Sequence, residues 1–122
     1  MDKQTIQSFN EGFLELIHSK NVDAIVDFYT EDGLLLPPGM PVIRGQNDIR
    51  AFWNGFIDQI ERFGLETLDI KLLAEDSIRE VGRFTFRSAD ASQPLITGKY
   101  IVIWEKVGTI WKFAVDIWNT DK

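Results

Sequence analysis

The 122-residue sequence contains no cysteine, which excludes a disulfide framework, a thiolate zinc site and a thiol nucleophile. Positive charge is also scarce, since 13 Lys and Arg stand against 19 Asp and Glu, for a net charge of −6. An acidic chain without a basic cluster argues against nucleic acid and anionic membranes as partners. The single histidine, His18, has no nucleophile near it in the sequence and forms no triad.

Motifs that bind metals or phosphates are missing as well. The sequence has no HExxH motif, EF-hand loop, glycine-rich phosphate loop or GxSxG elbow. It also has no apolar run of the length that a membrane span or a signal peptide requires. We therefore expect a cytoplasmic protein that uses no metal or other cofactor and binds neither nucleic acid nor membrane.

Apolar and aromatic residues are plentiful. Hydrophobic residues make up 44% of the chain and aromatic residues 12%, which argues for a folded chain with a substantial core. No linker, repeat or low-complexity tract divides the sequence. We expect one domain over residues 1–122.

Three helices are expected in the first half of the chain. An apolar stripe predicts the first over about Lys3–Ser19, with Asp2 as its cap. Asn21 caps a second, short helix that stops at the turn formed by residues 31–33. Apolar residues at helical spacing predict a third helix over residues 45–64, ended by Gly64.

Strands are expected in the second half, after one short strand at residues 34–36. Turn signals separate four long strands, Leu65–Ala74, Ile78–Ser88, Leu95–Glu105 and Ile110–Asn119. Helices followed by an antiparallel meander predict an α+β fold, with three N-terminal helices packed on one curved, mostly antiparallel sheet. Which side chains of strand 78–88 face inward is left open by the sequence.

The last strand has two faces that both need covering. A period of two places Trp111, Phe113, Val115 and Ile117 on one face, and Lys112, Ala114, Asp116 and Trp118 on the other. The second face pairs an indole with a carboxylate. This combination suggests that one face packs and that the face with Asp116 and Trp118 lines a cavity.

The first of these faces predicts a dimer. A tight turn at Val107–Gly108 would place Trp104 opposite Trp111, so that an apolar patch forms on the outer face of the sheet. Such a patch favours a homodimer joined through this face. In the competing interpretation the aromatic residues face the helices and Asp116 faces solvent.

Several strings carry a resemblance to a known family. They are residues 21–32, Ile43–Gly45 leading into Ile49–Trp53, and Trp111–Phe113 leading to Asp116–Asn119. In their order and spacing they resemble the SnoaL-like branch of the nuclear transport factor 2-like (NTF2-like), or cystatin-like, superfamily, near the ketosteroid-isomerase-like domains. The resemblance implies a conical fold with a pocket between the helices and the concave sheet face. It places these residues around the pocket: Phe13, Tyr29, Trp53, Ala114, Asp116 and Trp118.

Two further residues complete the expected substrate-binding set. Phe56 belongs to an apolar stripe of the third helix, and Met40 lies in the loop from Leu36 to Val42. This loop is rich in proline and apolar side chains, so we expect it to lie over the pocket mouth as a lid or rim.

The sequence departs from a ketosteroid isomerase at its chemical groups. By resemblance, Phe13 stands where the family has its helix-one tyrosine, Pro37 where it has the base, and Ile101 where it has a second acid. Tyr29 is kept, and Trp53 replaces the other supporting tyrosine. A standard ketosteroid isomerase is therefore not expected.

Asp116 is the candidate catalytic residue, and its role has two interpretations. A carboxyl that faces an aromatic cavity could transfer protons near neutral pH. Alternatively, Asp116 only holds the fold together, through an ion pair with Arg83 or Lys99 or through hydrogen bonds to Tyr29 or Trp53.

Two functions from different classes follow from these interpretations. The first is a cofactor-independent isomerase, dehydratase or hydrolase that acts on a small apolar or aromatic compound. The second is a non-catalytic module that binds a small ligand or assembles with copies of itself.

Overall fold

The computed structural model describes all 122 residues and has three helices, of which the first two begin beside the predicted capping residues. They are α1 (Lys3–His18), α2 (Val22–Asp27) and α3 (Gly45–Phe56). The side chain of Asp2 accepts a hydrogen bond from the Thr5 amide at 2.8 Å, and that of Asn21 accepts one from the Ala24 amide at 3.2 Å. These side chains pair amides that the first turns leave without partners. No helix is both long enough and apolar enough to cross a membrane.

Six strands form one sheet in the order β2-β1-β6-β5-β4-β3. Their bounds are β1 Tyr29–Leu36, β2 Ile43–Arg44, β3 Ile60–Ala74, β4 Ser77–Ser88, β5 Ile96–Val107 and β6 Ile110–Thr120. Only the β1–β6 pair is parallel; every other pair is antiparallel. The helices supply buried side chains to one core with this sheet. The predicted α+β fold with a mostly antiparallel sheet is confirmed.

The third helix is shorter than predicted. It ends at Phe56, a 3₁₀ turn follows at Ile57–Gln59, and β3 begins at Ile60 instead of Leu65. The reason is tertiary, because residues 60–64 pair along the whole end of β4 as far as Ser88. Sheet hydrogen bonds and packing outweigh the local helical pattern.

The second helix is also shorter than predicted, and the first strand is longer. Tyr29 begins β1, where the apolar pattern predicts helix as far as residues 31–33. Tyr29 pairs with Phe113 of β6 and is fully buried. The two-residue strand β2, which the sequence pattern does not predict, pairs with the end of β1.

The position of the turn and a β-bulge in β6 both change the predicted register of the last hairpin. The turn falls at Gly108–Thr109, not at Val107–Gly108, and Trp104 pairs with Phe113 instead of Trp111. Between Phe113 and Val115 the residue Ala114 has no partner in β5, so the alternation of side chains shifts by one.

Because of the bulge, aromatic and acidic side chains from both halves of β6 face the concave side of the sheet. Trp104 and Phe113 are core residues, exposed by 0% and 2%, and Trp111 packs against the same core. The prediction that Trp104, Trp111 and Phe113 form an outer patch is therefore wrong. Asp116 and Trp118 face the concave side as predicted, now together with Phe113.

Strand β4 shows which of its alternating sets faces inward. Ile78, Glu80, Gly82, Phe84 and Phe86 lie on the concave side, and all five are buried. Arg79, Val81, Arg83, Thr85 and Arg87 lie on the outer side. Gly82 provides room for Tyr100, since a Cβ at Gly82 would overlap the Tyr100 ring.

The close approach at Gly82 makes Gly82→Ala an informative substitution. The new methyl group would push the Tyr100 ring off its site, so we expect the free energy of unfolding to fall by roughly 1–3 kcal/mol. Urea unfolding followed by circular dichroism measures this loss. Gly55→Ala is the control, because nothing lies within 4 Å of the position that its methyl group would occupy in α3. Equal stability of the two variants would contradict a tight Gly82–Tyr100 contact.

Candidate functional site

A cavity of about 280 Å³ lies between the helices and the concave face of the sheet. Of its 19 lining residues 14 are hydrophobic, so the cavity suits a largely apolar ligand. Six of the expected site residues line it: Phe13, Met40, Trp53, Phe56, Asp116 and Trp118. Asp116 is the only acidic residue among the 19.

The loop between β1 and β2 forms part of the cavity wall. Pro37 and Met40 both line the cavity, and Met40 is also 52% exposed to solvent. A side chain that touches both the cavity and solvent lies at a rim. The expected position of this loop at the pocket mouth agrees with this geometry.

Two expected site residues lie elsewhere. Ala114 is buried at the bulge and does not line the cavity, because the register shift removes it from the face that Asp116 shares. Tyr29 is fully buried behind Asp116 and contacts the site through its hydroxyl group. Ile101, aligned by resemblance with a pocket acid, lies on the outer face and is 41% exposed.

The expected ion pairs of Asp116 do not form. Arg83 pairs with Glu66 at 3.1 Å, and Lys99 pairs with Asp121 at 3.2 Å. Arg83 and Lys99 are directly opposed on β4 and β5, and both lie on the outer side of the sheet. The Asp116 carboxyl therefore faces the cavity without a cation beside it.

Asp116 is held by hydrogen bonds from the neighbouring aromatic residues. The Tyr29 hydroxyl donates to Asp116 Oδ2 at 3.0 Å, and the Trp53 indole Nε1 donates to the Tyr29 hydroxyl at 3.4 Å. No group of the protein donates to Asp116 Oδ1. One carboxyl oxygen is thus fixed in place, and the other is open to a ligand.

The environment of Asp116 favours its protonated form. Burial raises the pKa of Asp116 to about 7; the Tyr29 hydrogen bond lowers it, and the negative charge of Glu80 adds to the increase. The pKa of Tyr29 is raised well above its ordinary value, by burial and by the charge of Asp116, so Tyr29 stays a neutral donor. Near neutral pH Asp116 can both accept and return a proton.

A second carboxyl group, Glu80, lies fully buried on the same face of the sheet. Its Oε2 accepts hydrogen bonds from the Tyr100 hydroxyl at 2.6 Å, the Asn10 amide at 2.8 Å and the Thr67 hydroxyl at 2.9 Å. Its Oε1 accepts a hydrogen bond from the Trp104 indole at 3.0 Å. Four donors surround this carboxylate, and no cation pairs with it.

Sequence reasoning misses the Glu80 cluster, although one signal is present. Side chains alternate along a strand, so Glu80 lies on the same face of β4 as Ile78, Gly82, Phe84 and Phe86. This spacing places a carboxyl on the apolar side of β4. Its partners come from three other elements far apart in the chain. In the folded protein, burial and the charge of Glu80 raise the pKa of Tyr100, which keeps that hydroxyl protonated.

The acidic residues do not form a metal site. No three His, Cys, Asp or Glu side chains lie close enough together to hold a metal ion. Asp116 has Tyr29 and apolar residues around it, and Glu80 has donors only. Donor groups of this kind suit a carboxylate and repel a cation.

Three helices on a curved, mostly antiparallel sheet form a cone of the NTF2-like class. Residues 10–116 match the SnoaL-like domain family, and the protein belongs to this family. No curated protein matches the chain.

Solved structures with the same fold have diverse descriptions. A ketosteroid isomerase-like protein from Erwinia carotovora atroseptica is 16% identical, with a TM-score of 0.83 over 98% of this chain and 96% of its own. A proposed scytalone dehydratase from Novosphingobium aromaticivorans is 15% identical, with a TM-score of 0.78 over 98% and 83%. A type 2 hexachlorocyclohexane dehydrochlorinase (LinA) is 14% identical, with a TM-score of 0.76 over 96% and 83%. At such identities the likeness shows the fold alone.

The raised pKa of Asp116 predicts a pH dependence of stability. Between its ordinary pKa of 3.8 and about 7, the folded state keeps a proton that the unfolded state has released. Stability from this group is therefore full below about pH 4 and is lost as pH rises to about 7. Relative to Asp116→Asn, we expect the wild type to lose on the order of 3 kcal/mol across this window.

Urea unfolding of both proteins at several pH values tests this prediction. Asp121→Asn is the control, because hydrogen bonds from Thr97 and Lys99 lower the pKa of Asp121 in the folded state. The contribution of Asp121 is lost only as pH falls through its lowered pKa, so it should stay constant from pH 4 to 7. A constant difference between wild type and Asp116→Asn would show that Asp116 ionises normally.

Proposed function

We propose that the protein is a cofactor-independent enzyme that moves a proton on a small, largely apolar or aromatic compound. Isomerisation, dehydration and hydrolysis are the reactions open to it. The observation that carries this proposal is Asp116, the one acidic residue on the wall of an apolar cavity, with Oδ2 held by Tyr29 and Oδ1 free of protein donors.

The chemistry follows from this placement. As a carboxylate, Asp116 takes a proton from carbon or water; as the acid, it returns the proton to another atom or to a leaving group. The Trp53–Tyr29–Asp116 chain of hydrogen bonds fixes the carboxyl before the substrate arrives. A single group that takes and returns a proton is sufficient for isomerisation or dehydration, so we favour these over hydrolysis.

The structural neighbours support the same reaction types without identifying the substrate. One is described as a dehydrochlorinase and another as a proposed scytalone dehydratase, and both names denote eliminations. Phe13 and Pro37 line the cavity, and by resemblance they stand where a ketosteroid isomerase has its tyrosine and its base, so neither group is supplied. We therefore favour a different substrate for this chain.

A substrate-independent probe tests Asp116 as a base. The base removes the ring C–H proton of 5-nitrobenzisoxazole, the N–O bond breaks, and 2-cyano-4-nitrophenolate is released and absorbs visible light. We expect the wild type to catalyse this ring opening, with a rate that rises with pH through about 7 as Asp116 ionises. Asp116→Asn should lower the rate by about 10²-fold or more.

The matched control for the rate is Asp121→Asn, which removes an exposed carboxyl outside the cavity wall. It should keep the wild-type rate and pH profile. Equal rates for wild type and Asp116→Asn would refute the enzymatic proposal and favour a module that only binds a ligand.

We further propose that two copies of the chain associate through the outer face of the sheet. Six apolar side chains form a continuous grid there across β1, β6 and β5: Leu34, Val115 and Ile103 in one row, and Leu36, Ile117 and Ile101 in the next. Ile101 and Ile117 are 41% and 37% exposed. The other four side chains are partly exposed, and a twofold partner with the same grid would bury all six.

Light scattering at micromolar concentration tests the dimer. We expect a mass twice the chain mass of 14.0 kDa for wild type and the single-chain mass for Ile117→Glu. Leu72→Glu is the control, because Leu72 is 62% exposed at the far hairpin and should leave the dimer intact. A monomeric wild type would contradict the assembly proposal.

A further inference from the structure

Asn10 has an unusual position on the cavity wall. It lies in α1, one turn before Phe13, and lines the cavity while only 1% of it is exposed. Its Oδ1 is buried and accepts no hydrogen bond from the protein. Leaving a buried acceptor unpaired is costly, so such an atom beside a cavity calls for a donor from a ligand.

The orientation of the Asn10 amide is fixed by its neighbours. Nδ2 donates to Glu80 Oε2 at 2.8 Å and approaches the Thr67 hydroxyl at 3.2 Å. Rotating the amide by half a turn would place Oδ1 against the Glu80 carboxylate, oxygen against oxygen. Glu80 therefore holds Nδ2 toward itself and leaves Oδ1 without a partner.

Glu80 is itself held rigidly. The hydroxyl of Tyr100 and the indole of Trp104 both donate to it, and the indole can only donate. The orientation of the Asn10 amide is therefore set by a rigid partner before a ligand binds.

The acceptor and Asp116 lie at different places on the cavity wall. Glu80 pairs with Val102 across the sheet, and Val102 pairs with Asp116, so two strand spacings separate the two carboxyl-bearing residues. Two spacings amount to about 10 Å between their backbones. Val102 and Phe113 present apolar surface to the cavity in this region.

We propose that Asn10, oriented by Glu80, is a subsite that accepts a hydrogen bond from a hydroxyl group of the ligand. The ligand is then a ring compound with an apolar body and a hydroxyl donor, of the phenol or cyclic-alcohol class. This inference rests on the proposed use of the cavity as a ligand site and is independent of catalysis by Asp116.

Two naphthalene derivatives test the subsite. 2-Naphthol carries a hydroxyl donor, whereas 2-methoxynaphthalene carries an acceptor only. Calorimetric titration at about pH 5, where Asp116 is protonated, gives both dissociation constants. We expect the wild type to bind 2-naphthol about tenfold more tightly than 2-methoxynaphthalene.

Glu80→Gln provides an isosteric test. Because the Trp104 indole needs an acceptor, the new amide should place its oxygen there and its nitrogen where Oε2 was. The Asn10 amide would then turn its oxygen toward Gln and present Nδ2 to the ligand. The two compounds should then bind with about equal dissociation constants, or 2-methoxynaphthalene should bind more tightly.

Asn10→Leu gives a second route to the same result, because it removes the acceptor and should abolish the preference. Asp116→Ala tests the competing binding mode, in which the naphthol hydroxyl binds the free oxygen of Asp116, and should keep the preference. A preference that survives in Asn10→Leu and disappears in Asp116→Ala would overturn the subsite, as would equal binding of both compounds by the wild type. Failure of the ring-opening assay with the preference intact would reject only the enzymatic proposal.

Discussion

The one-residue bulge at Ala114 determines which side chains reach the inside of this fold. Without it, a strand with strict alternation would place Phe113 and Asp116 on opposite faces of the sheet. With it, Phe113 fills the core beside Trp104, at a ring-centroid distance of 4.6 Å, while Asp116 still faces the cavity. The first half of β6 therefore contributes side chains to the core, and its second half contributes side chains to the cavity. An additional residue is a small structural change, yet core and site both depend on it.

Glu80 and Asp116 show how environment gives the same chemical group different roles. Glu80 accepts four hydrogen bonds, which replace the water that an ionised carboxylate loses on burial. Asp116 accepts one, from Tyr29, and therefore gains less from its charge. The first arrangement suits a fixed structural anion, and the second suits a group that exchanges protons near neutral pH. Glu80 is fully buried and Asp116 is half-buried, so the number of donors and the extent of burial both distinguish the two groups.

Local chemistry made α1 and both cap residues predictable, because Asp2, Asn21 and the apolar stripe act within a few residues of one another. The end of α3 and the start of β1 were not predictable from the sequence. Strand pairing with β4 and β6 determines where they lie, and no local sequence signal indicates this pairing. Asp116 and Trp118 were found from their spacing of two, which lies beyond the bulge and is unaffected by it. The Glu80 cluster stayed hidden because its donors come from α1, β3 and β5, and only the fold brings them together.

The two carboxyls are also coupled. The charge of Glu80 adds to the burial that raises the pKa of Asp116, and Tyr100 is influenced by both groups. The residue that orients Asn10 and anchors Tyr100 therefore also helps to keep Asp116 protonated. Neutralising Glu80 would remove this contribution to the pKa of Asp116 even though the two side chains share no hydrogen bond. The stability of the cavity wall and the acidity of the candidate catalytic group therefore both depend on Glu80.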